Sequence, residues 1–280
     1  MARSSAGGLV KMRKVKRKRA GKARRKTIGY SATDRERVLA AIDALLTSEE
    51  TADAVGVLYD EYYGEVEDLP PMGDDDFMEW MESNSRHAFL FWACFDFDPE
   101  DDVRLVDRML RVHRWSAGER AFLTAMRGTR MRLYEIEAVE PGASVTLRDV
   151  FDEGLPVKVR ERSGSRTLQR GELLAARVMR PGASGQPEMD GGLFRYSELQ
   201  RAHVLAAVEQ ELVSMIEYEP ELSEDARWRE LGPVLHEEWR TPRLPALVNY
   251  DGDPLVMTRV RFDVTEAEAL EAALDAVSAD

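Results

Sequence analysis

The chain has 280 residues, with 39 Lys and Arg against 52 Asp and Glu, a formal net charge of −13 and a single cysteine, Cys94. This length can bury a substantial core, as one large domain or two smaller ones. One cysteine excludes an internal disulfide and any multi-cysteine zinc site, and no apolar run reaches the length of a membrane span.

Charge is placed unevenly. Residues 1–30 hold 12 of the 39 basic residues and no Asp or Glu, so the remainder has 27 basic against 52 acidic residues, a net of −25. The stretch KMRKVKRKRAGKARRK carries most of this in Lys11, Arg13, Lys14, Lys16, Arg17, Lys18, Arg19, Lys22, Arg24, Arg25 and Lys26. With few apolar residues to bury, residues 1–30 are expected to form a disordered basic arm on an acidic body. No apolar segment follows the arm, so it reads as neither a signal peptide nor a twin-arginine export signal. The expected compartment is the cytoplasm. The Ala, Arg and Glu richness has the texture of a GC-rich bacterial genome.

Past the arm the period is helical. Thr33 and Glu36 predict a capping box, followed by Val38, Ile42, Leu45 and Leu46 at helical spacing. Val55, Leu58, Tyr59 and Tyr62 mark a second helix, and DLPPMGDDD then breaks the pattern. Phe77, Trp80, Met81, Ala88, Phe91, Trp92 and Phe95 predict one long apolar helix. Val103, Val106, Met109 and Leu110 predict another, and Ser116 with Glu119 caps a last one bearing Phe122 and Met126. Residues 31–130 thus read as a helical domain.

From residue 131 the period falls to two. LYEIEAVE, SVTLRDV, PVKVRER and ELLAARVMR are short alternating runs separated by Gly and Pro, with a fifth run between Gln186 and Phe194. Residues 131–196 are therefore expected to form a small β-barrel-like domain. If Val145, Leu147, Val157, Val159, Leu174, Ala176 and Val178 face inward, then Arg148, Lys158, Arg160, Arg162 and Arg177 face outward. They form either a second basic face or simply a solvated wall. Tyr134 alternates with the inward set, so no base-stacking platform is visible.

Residues 197–280 are read as a helical segment with a C-terminal β-β-α unit. Leu205, Val208, Leu212 and Ile216 mark one helix, and Gly232-Pro233 is expected to interrupt a second between Trp228 and Trp239. LPALVNYDGDPLVMTRVRFDV reads as a hairpin around Asp251-Gly252. Thr265 and Glu268 then cap a final helix with Leu270, Leu274 and Val277. The fold class is α+β.

Catalytic patterns fail on inspection. HEEWR at His236 puts Arg240 where a zinc protease needs its second histidine. DFDPEDD from Asp96 lacks the glycine and the bidentate glutamate of a calcium loop, and reads as a solvated acidic loop or a helix start. Asp74, Asp75 and Asp76 read as helix-capping acids, and Cys94 among aromatics as a buried thiol. His87, His113, His203 and His236 are scattered, with no close pair. No catalytic residue, metal site or cofactor is assigned.

FLFWACFDF and the run from SAGERAFLTAMRGTRMRLYEIEAVEPGASV to GELLAARV, together with LVNYDGDPLVMTRVRFDV, resemble a group of uncharacterised bacterial proteins. Many of that group end in a SEC-C motif, a small Cys-rich zinc unit. This chain has no clustered cysteines, so the zinc unit does not carry over. The resemblance implies an architecture and no activity.

Three functional readings remain open. The first is a non-enzymatic interaction protein whose arm binds nucleic acid or another polyanion. The second is a protein-binding adaptor whose arm docks on an acidic partner or on its own body. The third is an enzyme with an unrecognised carboxylate site. Oligomeric state is left open.

Overall fold

The computed structural model describes residues 29–64, 75–97, 103–112, 114–180, 185–241 and 243. The basic arm, His113, Asp74 and the expected C-terminal β-β-α unit lie outside the described residues.

Helices α1 (Ala32–Leu46), α2 (Ala52–Tyr63) and α3 (Asp75–Phe91) come first. A π-helical turn (Trp92–Asp96) extends α3, and α4 (Leu105–Val112) and α5 (Ala117–Arg127) follow. The cap of α1 lies two residues before the expected one. Ser31 Oγ accepts from Asp34 N–H, and the Asp34 carboxylate accepts from Ser31 N–H. The Ser31-x-x-Asp34 spacing makes the same reciprocal box as Thr33 with Glu36 would. The expected box of α5 is present, with Ser116 N–H donating to Glu119 at 2.7 Å.

Five strands follow: β1 (Met131–Glu140), β2 (Ser144–Asp149), β3 (Val157–Arg160), β4 (Leu173–Met179) and β5 (Glu188–Tyr196). They close into a barrel in the order β1-β2-β3-β5-β4. β3 and β5 run parallel, and the other neighbours run antiparallel. Its interior holds Ile136, Val145, Leu147, Val159, Leu174 and Ala176, with Val157 and Val178 packed against them. The inward alternation is therefore as the sequence predicts. Tyr134 joins this interior.

One expected outward residue is not at the surface. β4 is buried on both faces, because its outer residues Leu173, Ala175 and Met179 belong to a second core shared with the helices. Arg177 lies on that covered face with 1 % of its side chain exposed, so it is not part of an exposed basic face.

Helices α6 (Glu198–Tyr218) and α7 (Glu224–Arg240) complete the described chain. α6 buries Gln200, Val204, Val208 and Met215, while Ile216 is exposed. α7 runs unbroken through Gly232-Pro233. Gly232 sits against the Trp92 indole, where a Cβ would come within 2.6 Å of the ring. Trp228, Leu231, Leu235 and Trp239 are buried on the same helix. Packing of that face outweighs the one backbone hydrogen bond lost at Pro233.

Candidate functional site

The barrel wall formed by β1, β2 and β3 carries the cations expected to form a basic face. Arg148, Lys158 and Arg160 each pair with a carboxylate of another strand, because alternation puts opposite charges side by side on the outer surface. Arg148 lies 3.4 Å from Glu135 and 3.1 Å from Glu137. Lys158 donates to Glu140 at 2.6 Å, and Arg160 pairs with Glu188. Bonds from Lys158 and Ser144 hold the Glu140 carboxyl below its usual range. The wall is therefore neutralised, and Arg162 beyond its end is exposed.

At one end of this barrel the chain enters the described structure. Tyr30 packs edge-on against Phe122, with ring centroids 5.2 Å apart. Its hydroxyl lies 3.4 Å from Glu188 and 3.3 Å from the sulfur of Met179, residues paired across β4 and β5. Burial, followed by the charge of Asp190, pushes the Tyr30 hydroxyl up to about 12. The root of the basic arm is thus fixed beside the end of β4 and the start of β5.

Three polar clusters lie deeper. Arg35 of α1 grips Asp190 of β5 with two bonds of 2.5 and 2.7 Å, and His87 lies 3.4 Å from the same carboxylate. His236 of α7 is buried 3.0 Å from Ser85 Oγ, among Tyr62, Tyr63, Phe194 and Trp239. Burial, then the Arg240 charge, lowers its imidazole to about 3, so it is neutral at physiological pH. Ser85 and His236 have the spacing of a nucleophile and base, but both are buried, and among the described residues no carboxylate hydrogen-bonds the imidazole. Arg177 and Asp96 form the third cluster. Asp96 therefore departs from the solvated acidic loop expected for DFDPEDD, and its residues 98–102 lie outside the described chain.

Cys94 is fully buried, with its sulfur 3.7 Å from that of Met109, and burial pushes the thiol far up. That suits packing and not nucleophilic attack. His203 is exposed. Among the described residues no group of three or more His, Cys, Asp or Glu is placed to hold a metal ion, and no helix is long and apolar enough to cross a membrane.

A cleft of about 800 Å³ opens between α3, the β4–β5 edge, the start of α6 and the end of α7. Phe77, Met81, Leu173, Tyr196 and Trp239 give it apolar lining. Arg195, Arg201 and Arg243 stand at its rim, paired with Glu172, Glu135 and Glu238 respectively.

Residues 72–184 match a family of unknown function (DUF7986). The match runs from just before α3 to just past β4, so it contains both Asp96 and Arg177. No curated protein and no solved structure matches the chain.

Sequence reasoning missed Asp96, Asp190, Arg35 and the Ser85–His236 pair. None of these carries a local signal, because each partner lies 80 or more residues away in the chain: 81 for Asp96 with Arg177, 155 for Arg35 with Asp190 and 151 for Ser85 with His236.

Proposed function

We propose that this is a non-enzymatic, nucleic-acid-binding protein whose basic segment Lys11–Lys26 makes the principal contact. The observation that carries this reading is the charge segregation: 12 cations and no acids in residues 1–30, against a net of −25 in the rest. A body of that charge repels phosphate at long range, so attraction has to come from the arm. The barrel adds an analogy. OB-type five-stranded barrels take oligonucleotides across their strand 2–3 face, but here that face carries ion pairs, and fold alone does not assign function. The reading therefore rests on phosphate contacts and entails no base preference.

The test is affinity for random-sequence duplex across a salt series. It compares the full chain, a peptide of residues 1–30 and the chain started at Thr27. If about half of the arm's charges engage, the log–log slope is about −5, at roughly −0.9 per phosphate contact. The truncated chain should lose most of the affinity. Undiminished binding without the arm would overturn the reading.

A second reading, a protein-binding adaptor, is favoured by the cleft beside α3. Aromatic residues and arginines dominate protein interfaces, and both Phe77 at the cleft and Trp80 on the same helix are partly exposed. Absence of duplex binding by every form at low salt would put it ahead. We further propose that the chain is bacterial and cytoplasmic, and akin to proteins that carry a SEC-C unit. Its own single cysteine excludes that unit here.

A further inference from the structure

We propose that the body supplies a second phosphate contact, made by Arg162, Arg166 and Arg180 at the barrel end where the arm is rooted. This rests on the nucleic-acid reading above and gives the body a part in it.

Strand pairing places the three residues together. Met179 pairs with Glu188, Glu188 with Arg160, and Arg160 with Ser144, so the end of β4, the start of β5, the end of β3 and the start of β2 share one rim. Arg180 follows Met179, and Arg162 lies two residues past Arg160. Two strand spacings, about 10 Å, separate the ends of β4 and β3. Arg166 closes the group. Gly142 N–H, in the β1–β2 turn, donates to Ser165 Oγ at 2.9 Å, and the Arg166 guanidinium lies over that glycine.

Charge at this rim differs from charge on the wall. Lys158 and Arg160 are matched by Glu140 and Glu188. The carboxylate of Glu161 is held by the N–H groups of Ser163 and Gly164, both at 2.8 Å. Arg162, Arg166 and Arg180 are exposed, and among the described residues none has a carboxylate partner. The rim thus has five cations against three carboxylates, in a body that is otherwise strongly acidic.

The root of the arm adds an independent argument. Tyr30, where the chain enters the described structure, touches Met179 and Glu188 of this rim as well as Phe122 of α5. A strand of phosphates held by the arm would lie within reach of these three arginines, which have no carboxylate partner among the described residues. With no exposed aromatic on the barrel wall for stacking, the ligand that fits is duplex backbone, DNA or RNA, bound without regard to sequence.

The experiment measures binding of a fluorescent random-sequence duplex across a salt series. It uses the full chain, the chain started at Thr27, the triple variant Arg162→Gln/Arg166→Gln/Arg180→Gln, and a control, Arg111→Gln/Arg114→Gln, at exposed arginines on the helical side. The triple variant should bind more weakly and lower the salt slope by about 2 to 3. The control should change neither. An unaltered slope in the triple variant, with binding still lost on arm removal, would overturn this inference and leave the arm reading standing. No duplex binding by any form would overturn both. Equal competition by poly-glutamate and by unlabelled duplex would show an acidic protein as the fitting ligand, and would overturn the phosphate assignment.

Discussion

Arg177 of β4 and Asp96 at the end of the π-helical turn form a buried ion pair that ties the barrel to the helices. Both side chains are 1 % exposed. Arg177 Nη1 donates to Asp96 at 3.0 Å and to the Thr129 carbonyl at 2.9 Å, and Nη2 reaches the second carboxylate oxygen. Among the described residues Nε finds no acceptor. Removing one partner strands the other charge without water, at a cost of about 3–5 kcal/mol. Arg177→Met and Asp96→Leu should each destabilise by that much in urea unfolding. The double variant should recover much of the loss, since desolvating two charges is expensive and an apolar pair avoids it. Additive losses would show that the pair does not act as a unit.

A second prediction separates the two faces of β3. Val159 is fully buried opposite Val145, whereas Lys158 is exposed opposite Thr146. Val159→Asp should cost several kcal/mol or force a strongly raised carboxyl. Lys158→Gln breaks a surface pair with Glu140 and should stay within about 0.5 kcal/mol. Equal losses in thermal unfolding would contradict the inward register.

How far the sequence was legible follows from such residues. Val145 and Val159 alternate with polar neighbours between turn residues, and that pattern specifies a strand and its inner face. It does not say whether the outer face meets water. On β2 and β3 it does; on β4 helices cover it, and Arg177 reads as solvent-facing because a cation between apolar residues such as Ala176 and Val178 in a strand usually is. Asp96 looked like loop for the same kind of reason: its partner is 81 residues away. Gly232-Pro233 reads locally as a helix break, but the contact with Trp92 that retains the helix is tertiary. The charge segregation was plain from composition, whereas the place where the arm is rooted needed Tyr30 to be set against Met179 and Glu188.

A third prediction concerns close approach. Gly192 on β5 has φ +93°, and a Cβ there would come within 2.6 Å of the Ala88 Cβ and 3.1 Å of its Cα on α3. Gly171 has φ +87°, with open space around it. Both substitutions to Ala carry the conformational cost, about 1 kcal/mol. Only Gly192→Ala adds overpacking, about 1–3 kcal/mol. The difference between the two variants in denaturant midpoint measures how tightly α3 lies on β5. Equal effects would mean that the helix moves away freely.

The last prediction is a two-step loss of stability in acid. His236 is buried and its imidazole is lowered to about 3, first by burial and then by Arg240. Between that value and the ordinary 6.5 the unfolded chain binds a proton that the folded chain refuses. Stability should therefore be full above about pH 6.5 and fall as pH drops, by about 2 kcal/mol at pH 5. Asp190 acts lower. Burial would raise its carboxyl, but the bonds from Arg35 and His87 outweigh it and bring it to about 2. A depressed acid stabilises above its unfolded value near 4, and loses that contribution as pH falls toward 2, again about 2 kcal/mol. Gln at position 236 still reaches Ser85 but cannot titrate, so His236→Gln should flatten the profile between pH 6.5 and 5 and leave the lower limb. Asp190→Asn should flatten the lower limb alone. Urea unfolding at half-unit steps of pH tests both. A wild-type profile that is level from pH 7 to 5 would mean that water reaches His236 in the folded protein, and that the aromatic box around it is open.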